Sequence, residues 1–468
     1  MKKMLRYMVY CILLMLMPTT YAYAYDISNL VVDNNPRYGL AFPGKISAYY
    51  TTVDKAGPGY ARMNIVWGDR ETSDDVYSSW ETGMDPYVYG MNSRGIECVF
   101  TFVTDCDWGA PITDPTKDAA NQVPTDMAKW QEFVTVCVER YDFDGVDDMP
   151  SSSMRNTYYS IVNEWPSETH GSGGWAGTME ELITFTNTTY AGIQAANTEC
   201  KLILGGWSST VFNKITAVDL YLDSGEEYTI YDSDNYGNIE TITITDYLGS
   251  STRAAIRSYY RVLNESTYDA FDLHLYGPIS DNEYRFEFIK DLIPNKTLVS
   301  LECGGPNQAY DSIITNNDLF NTAIQMQLDN ISNDILFSLW FGLGSNYPYI
   351  PGGTITWGNA YIPWFVIETQ APRGCYWAHI LLGELLNGVT SVVMVSDTVF
   401  VITRPDGEIY VGWGSGIMTL PSGFIPTQRI DITNSTTGTF SVGTTPDQEA
   451  EIILGELPII ISEMTLGE

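Results

Sequence analysis

Two glutamates stand out by their positions. Ile161-Val162-Asn163-Glu164 and Val299-Ser300-Leu301-Glu302 are short, mostly apolar runs that each close on one carboxylate. A carboxylate at the edge of a core costs free energy unless it is paired or used. If the two runs are the fourth and seventh strands of a small closed barrel, they lie nearly opposite each other. Glu164 and Glu302, pointing inward, then come within about 5–5.5 Å. That separation suits a nucleophile and an acid/base that cleave a glycosidic bond with retention at the anomeric carbon. Two such carboxylates do not both ionise cheaply, so the proton is expected on Glu164, with its pKa raised.

The elements needed to hold these residues are legible. Apolar runs predict strands at Tyr38–Phe42, Tyr60–Trp67, Ile96–Val103, Tyr158–Asn163, Lys201–Gly206, Ala270–Tyr276, Thr297–Glu302 and Asp334–Phe341. Helical patterns fall between them. Met127–Tyr141 carries Trp130, Phe133, Val134, Cys137 and Val138 at spacings of three and four, as one buried helix face requires. Met179–Ala196, Thr252–Leu263, Glu283–Leu292, Asp318–Ile331 and Trp377–Leu386 follow the same logic. Alternation of this kind predicts an α/β chain built as a (β/α)8 TIM barrel over residues 25–388. No glycine-rich phosphate loop follows the first strand, which argues against a doubly wound sheet. Residues 211–250, rich in Asp, Tyr and Thr, are expected to form a β-rich insertion. From residue 389 to 468 the texture is strand-like: Thr390–Val401, Glu408–Trp413, Gln428–Thr433, Thr439–Val442 and Glu451–Ser462. Turn residues separate these runs, so a small C-terminal all-β domain is expected.

Asn163-Glu164 closing the fourth strand, with Glu302 closing the seventh, resembles the clan A superfamily of retaining glycoside hydrolases. The stretch from Arg140 to Pro150, leading into Tyr158–Trp165, is similar to bacterial members near family 39. The resemblance spans about Val32 to Asn387. It implies Glu164 as acid/base, Glu302 as nucleophile and Asn163 as partner of the sugar 2-hydroxyl. On the sixth strand, the family often carries His-x-Tyr, here His274 and Tyr276, the tyrosine bonding the nucleophile. Arg62 on the second strand matches an arginine that keeps the nucleophile ionised, and Trp340 on the eighth matches a sugar-stacking platform. His274 and Tyr276 share parity, so they face one side of their strand. Trp165 stands where the family usually has a small residue or proline, and Cys303-Gly304-Gly305 marks no one substrate family.

The rest of the chain bounds the reading. With 24 Lys and Arg against 58 Asp and Glu, the formal charge is −34. Such a chain repels nucleic acid; an oligo- or polysaccharide substrate is the expected partner. Residues 1–24 read as a signal peptide: Lys2, Lys3 and Arg6, an apolar run from Met8 to Met17, then Ala22-Tyr23-Ala24 before the cut. A secreted or periplasmic protein with no membrane anchor follows, since the run is too short to span a bilayer. Outside the leader, six cysteines remain, with no CxxC pair. Most read as small core residues, with Cys98–Cys106 a disulfide candidate. Trp67, Trp108, Trp175 and Trp207 near strand ends suit carbohydrate as a group and ordinary packing singly. His170 and His379 have no assigned role, and three histidines in all argue against a metal-dependent hydrolase. The run from Asp232 to Gly237 begins like a calcium loop, but Thr243 stands where its closing glutamate belongs, so it reads as a solvated acidic loop. No metal and no cofactor are assigned. The expectation is a secreted retaining β-glycosidase; a non-catalytic carbohydrate-binding or cell-surface structural protein on the same barrel, and a transglycosylase, are the rivals.

Overall fold

The structure, a computed structural model, describes residues 23–26, 30, 32–42, 50–78, 80–151, 154–171, 173–224, 230–232, 240–242, 249–277, 279–305, 315–342, 344–345, 365–366, 371–443 and 451–466. Residues 1–22 of the expected leader, residues 233–237 of the expected acidic loop, Thr243 and the expected turn at 445–447 lie outside them.

Eight parallel strands close into a barrel in chain order: β1 (Asn35–Ala41), β2 (Pro58–Val66), β3 (Glu97–Val103), β4 (Tyr158–Ile161), β5 (Lys201–Trp207), β6 (Ala270–Tyr276), β7 (Thr297–Gly304) and β8 (Ile335–Phe341). The helices between them are α1 (Tyr50–Ala56), α2 (Asp85–Asn92), α3 (Met127–Tyr141), α4 (Met179–Ala196), α5 (Ser209–Ser224), α6 (Ser250–Glu265), α7 (Asn282–Leu292) and α8 (Asn316–Ser332), with α9 (Gly374–Leu385) after β8. The expected (β/α)8 barrel is thus the observed one. Its helices begin where capping chemistry lets them. Asp126 accepts the Ala128 amide at 2.8 Å ahead of α3, and Thr178 and Glu181 cap each other's backbone at α4.

Strand periodicity sorts the side chains. Tyr60, Val99, Ile203, Ala270, Val299, Leu301, Phe337 and Leu339 fill the barrel interior. Leu40, Ile65, Phe100, Phe102, Leu204 and Leu275 belong to the layer between barrel and helices. Six cysteines are free and buried, Cys98 and Cys106 among them. The expected Cys98–Cys106 bridge is absent: Cys98 sits near the start of β3, in the layer between barrel and helices, and Cys106 lies beyond the other end of that strand.

Three further expectations change. Residues 212–224 of the presumed β-rich insertion are helical, as part of α5; its apolar positions Phe212, Ile215 and Val218 bury at helical spacing. Among the described residues of this segment, Ile230–Asp232 and Glu240–Ile242 pair as antiparallel strands. The run Thr390–Val401 is a hairpin of β9 (Ser391–Ser396) and β10 (Val399–Arg404) rather than one strand. Glu451–Ser462 divides in the same way at Gly455–Pro458, giving strands in two different sheets.

The C-terminal sheet also contains β11 (Gly407–Gly412), β12 (Gln428–Asn434), β13 (Thr439–Gly443) and β14 (Ile459–Ser462), all antiparallel. Its edge strand, Tyr23–Asp26, comes from the other end of the chain and pairs with β13. The boundary placed at residue 25 therefore cuts a strand that belongs to this sheet. The expected cut after Ala24 would leave Tyr25 and Asp26 opposite Phe440 and Thr439. Alternation again assigns the faces. Phe400, Ile402, Ile409 and Ile430 join the core under the barrel helices. Val399, Val401, Tyr410 and Ile461 pack against the small sheet holding Met418 and Ile452.

Closure of the barrel depends on a backbone approach at Gly39. A Cβ there would lie 2.2 Å from the Tyr60 carbonyl oxygen and 2.7 Å from Leu339. Gly39→Ala should therefore cost roughly 1–3 kcal/mol through overpacking, read as a lower urea midpoint. An unchanged midpoint would contradict the observed register of β1, β2 and β8.

Candidate active site

Six of the seven expected site residues meet at the carboxyl-terminal end of the barrel. Arg62 leaves β2 with the inward parity of Tyr60. Its Nη1 donates to Glu302 Oε1 at 2.7 Å, Nη2 to Asn163 Oδ1 at 2.8 Å and Nε to Thr101 Oγ1 at 2.8 Å. Both partners of the Arg62–Glu302 pair are buried, with side-chain exposures of 1% and 6%. The Tyr276 hydroxyl donates to the other oxygen, Glu302 Oε2, at 3.0 Å. His274 Nδ1 lies 2.8 Å from Glu164 Oε1 and 3.6 Å from Glu302 Oε2. One carboxylate oxygen of Glu164 and one of Glu302 stand within 4.8 Å of each other.

Plain strand alternation would not produce this arrangement. Val299 and Leu301 point into the barrel, so strict alternation would turn Glu302 outward. Between the Asp272–Val299 and His274–Glu302 pairs, β7 has one residue more than β6. This bulge resets the parity and aims Glu302 at the mouth, a common use of bulges near sites. A second bulge lies in β5, between the Phe271–Leu204 and Leu273–Trp207 pairs. Asp272, fully buried, serves both irregularities. Its Oδ1 accepts the Leu301 amide at 2.6 Å, and its Oδ2 accepts the Gly206 amide at 3.3 Å and faces His274 Nε2 at 3.1 Å.

The β4 end is irregular in another way. The strand stops at Ile161, and Val162 and Glu164 take positive φ values of 48° and 51°. A β-branched valine there is a strained conformation of the kind that gathers at functional sites. It lets Asn163 reach Arg62 and Glu164 reach His274 from adjacent positions. Trp165 anchors the turn: it is fully buried, stacks edge-on against Trp207 and Tyr259, and donates to the Gly205 carbonyl at 2.7 Å. The bulky residue at that position thus has a packing role.

The charges settle the proton. Both ring nitrogens of His274 face carboxylate oxygens, an arrangement that a doubly protonated ring satisfies by donating from each. Burial alone would favour the neutral ring. The charges of Glu302 and Asp272, and the hydrogen bonds with Asp272 and Glu164, nevertheless hold His274 well above its ordinary pKa. Burial pushes Glu164 up, but the His274 hydrogen bond and the charges of His274, His170 and Arg62 outweigh it and hold Glu164 below its ordinary value. The expectation of a raised Glu164 pKa is therefore corrected. It weighed the two glutamates against each other and left out a cation placed between them.

Trp340 does not join the site. Phe337, Leu339 and Phe341 carry the inward parity of β8, and Trp340 carries the outward one. It is fully buried and its ring lies 5.3 Å from that of His379 on α9. Among the described residues, Phe341 and Phe42 are half-buried aromatic groups at the mouth, with ring centroids 5.9 Å apart; Phe42 lies 5.1 Å from the Arg62 guanidinium. Trp67, Trp175 and Trp207 are core residues, and half-buried Trp108 donates to the Glu71 carbonyl at 2.8 Å. Three participants escaped the sequence reading. Asp272 shares parity with His274 and Tyr276 in Asp-Leu-His-Leu-Tyr, so alternation could have found it. His170, with Nε2 3.3 Å from Glu164 Oε2, sits on a loop, where no periodicity points to a site. Thr101 is an ordinary polar residue inside an apolar strand.

No protein-family profile matches the sequence, and no curated protein matches it. Solved structures do match. A family 39 glycoside hydrolase from the gut symbiont Bacteroides cellulosilyticus WH2 superposes with a TM-score of 0.60 at 13% identity, over 93% of this chain and 81% of that one. A monomeric beta-xylosidase from Caulobacter crescentus CB15 gives 0.55 at 12% identity, over 92% and 97%. A family 30 endoxylanase from Clostridium papyrosolvens C71 gives 0.54 at 12%, over 93% and 97%. The structural neighbours are thus glycoside hydrolases of families 39 and 30, and what this chain shares with them is the fold.

Asp272 offers a direct check. Asp272→Asn leaves one bulge amide and His274 without their anion, and should cost roughly 3–5 kcal/mol, as for a broken buried pair. A histidine whose folded pKa is raised adds stability below its unfolded pKa of about 6.5 and loses it as pH rises through the folded value. The variant should therefore lose that contribution at lower pH than the parent. Melting curves across the neutral-to-alkaline range read this, and parallel pH profiles would contradict it.

Proposed function

We propose that this chain is a secreted retaining β-glycosidase that hydrolyses O-glycosidic bonds of a glycan by double displacement. The observation that carries the reading is Glu302: buried, bonded on one oxygen by Arg62 and on the other by Tyr276, with a Glu164 oxygen within 4.8 Å. So close an approach of two oxygens favours the retaining arrangement, with carboxyl groups about 5–5.5 Å apart, over the inverting one at about 6.5–9.5 Å that admits a water. The basic leader and apolar run support export. Among the described residues, no helix is long and apolar enough to cross a membrane.

In the first step a Glu302 oxygen attacks the anomeric carbon, the glycosidic C–O bond breaks, and the leaving oxygen takes a proton from Glu164. At rest that proton sits on His274 Nδ1, 2.8 Å from Glu164 Oε1. It crosses this hydrogen bond as substrate displaces water, while Nε2–H stays on Asp272. In the second step Glu164, now a carboxylate, takes a proton from water. The water oxygen displaces Glu302 from the anomeric carbon and the site returns to its starting charge. Asn163 accepts from Arg62 through Oδ1, which makes Nδ2 the donor for a sugar hydroxyl. Phe341 and Phe42 offer apolar faces to the ring.

Two substitutions test the roles. Glu302→Ala should lose several orders of magnitude in turnover of an aryl β-glycoside, with azide restoring some turnover and giving the α-azide. Glu164→Gln should slow substrates with poor leaving groups far more than activated aryl glycosides, which need little protonation. Near-normal activity of Glu302→Ala, or equal slowing of both substrate types in Glu164→Gln at the glycosylation step, would overturn the assignment. A binding protein on this barrel would show no turnover in the parent either.

A further inference from the structure

At the far end of the barrel wall, where α3 gives way to the segment entering β4, four carboxylates converge. Glu139 lies in the last turn of α3, Asp142 caps it, and Asp144 and Asp148 follow in the loop. The loop turns back on itself through positive φ at Phe143, Gly145 and Asp147, at 51°, 102° and 48°. Gly145 N donates to Asp148 Oδ2 at 2.8 Å and Val146 N to Asp144 Oδ1 at 2.9 Å. One carboxylate oxygen from each of Glu139, Asp142 and Asp144 lies within 4.8 Å of the others.

Asp142 has no exposed surface, and neither carboxylate oxygen has a donor within normal hydrogen-bonding distance, the Asn197 side chain making only a long contact with it. Glu139 Oε2 and Asp148 Oδ1 are likewise buried without a donor. The nearby cations are engaged elsewhere. Arg140 pairs with Asp85, and Arg155 pairs with Glu199 and donates to the backbone carbonyl of Asp142. The Asn197 side chain favours the charged form of Asp142, but burial and the neighbouring Asp144, Glu139 and Asp148 push its pKa up to about 6. Buried carboxylates without donors are costly, and four such oxygens from three residues in one cluster call for a counter-charge.

We propose that Glu139, Asp142 and Asp144 bind a divalent cation of the calcium type, with Asp148 Oδ1 completing the acidic shell. The ligands are all hard oxygens, with no histidine or thiol, which selects calcium or magnesium over zinc. A spread of up to 4.8 Å matches oxygens around a calcium ion at about 2.3–2.6 Å each, and the exposed Asp144 leaves room for water ligands. Magnesium, at about 2.0–2.1 Å, asks for a tighter shell. The ion would pin the end of α3 to the chain entering β4, far from the chemistry and independent of it. The only calcium-like run apparent in the sequence was at Asp232–Gly237; here the ligands straddle a helix end, and no loop template predicts them.

The test uses the full chain, stripped with EDTA. Calcium chloride added to saturation should raise the melting temperature by several degrees, and calorimetric titration should show one site. Asp142→Asn should abolish this shift. In EDTA the same variant should melt no lower than the parent, because one member of a repelling cluster has become neutral. Asp144→Asn, on the exposed side, should weaken calcium binding without loss of fold. Absence of a calcium shift in the parent, or an unchanged shift in Asp142→Asn, overturns the site. An equal response to magnesium chloride at the same concentration overturns the choice of calcium.

Discussion

A carboxylate almost cut off from water stays charged only if positive charge meets it, and Arg62 meets Glu302 at 2.7 Å. Much else in the site follows from that pair. Arg62 is itself buried, so its remaining donors need acceptors, and Thr101 and Asn163 supply them. Asn163 is thereby fixed beside Glu164, which brings the second carboxylate to the same place. The excess negative charge is then balanced by His274, held between Glu164, Glu302 and Asp272. A buried network of this kind is costly when any member is missing. The closed barrel supplies the rigid walls that keep every member at hydrogen-bonding distance.

The site is also where regular structure gives way. Bulges in β5 and β7 and positive φ values at Phe42, Val162 and Glu164 cluster around one end of a barrel of parallel strands. Each departure has a compensating contact. Asp272 takes up amides at both bulges, and Trp165 pins the turn after β4 to Gly205. Glycines permit the close passages: a Cβ at Gly205 would stand 2.1 Å from the Ile161 carbonyl oxygen. The carboxylates thus reach their separation through irregular backbone held by regular neighbours.

This pattern explains which parts of the molecule were legible in the sequence. The eight strands and the long helices were, because periods of two and 3.6 report burial directly. Glu164, Glu302, Arg62, Asn163, His274 and Tyr276 were legible through their positions at strand ends. Trp340 was misplaced because a strand end holds residues of both parities, and resemblance singled out the aromatic while alternation favours Phe341. The Glu164 proton was misplaced because the cation opposing it arrives through folding from β6. His170 and the Glu139–Asp148 cluster sit on loops, where neither period applies. The Tyr23–Asp26 strand pairs across almost the whole chain length, and local patterning carries no trace of that partner.

The most direct test of the central claim is the stereochemistry of the first product. Proton NMR of an aryl β-glycoside hydrolysate, recorded before mutarotation, should show the β-anomer formed first, because Glu302 and then water each invert the anomeric carbon once. Initial formation of the α-anomer would mean a single displacement by water, and would contradict the role given to Glu302 and the short separation between the two carboxylates.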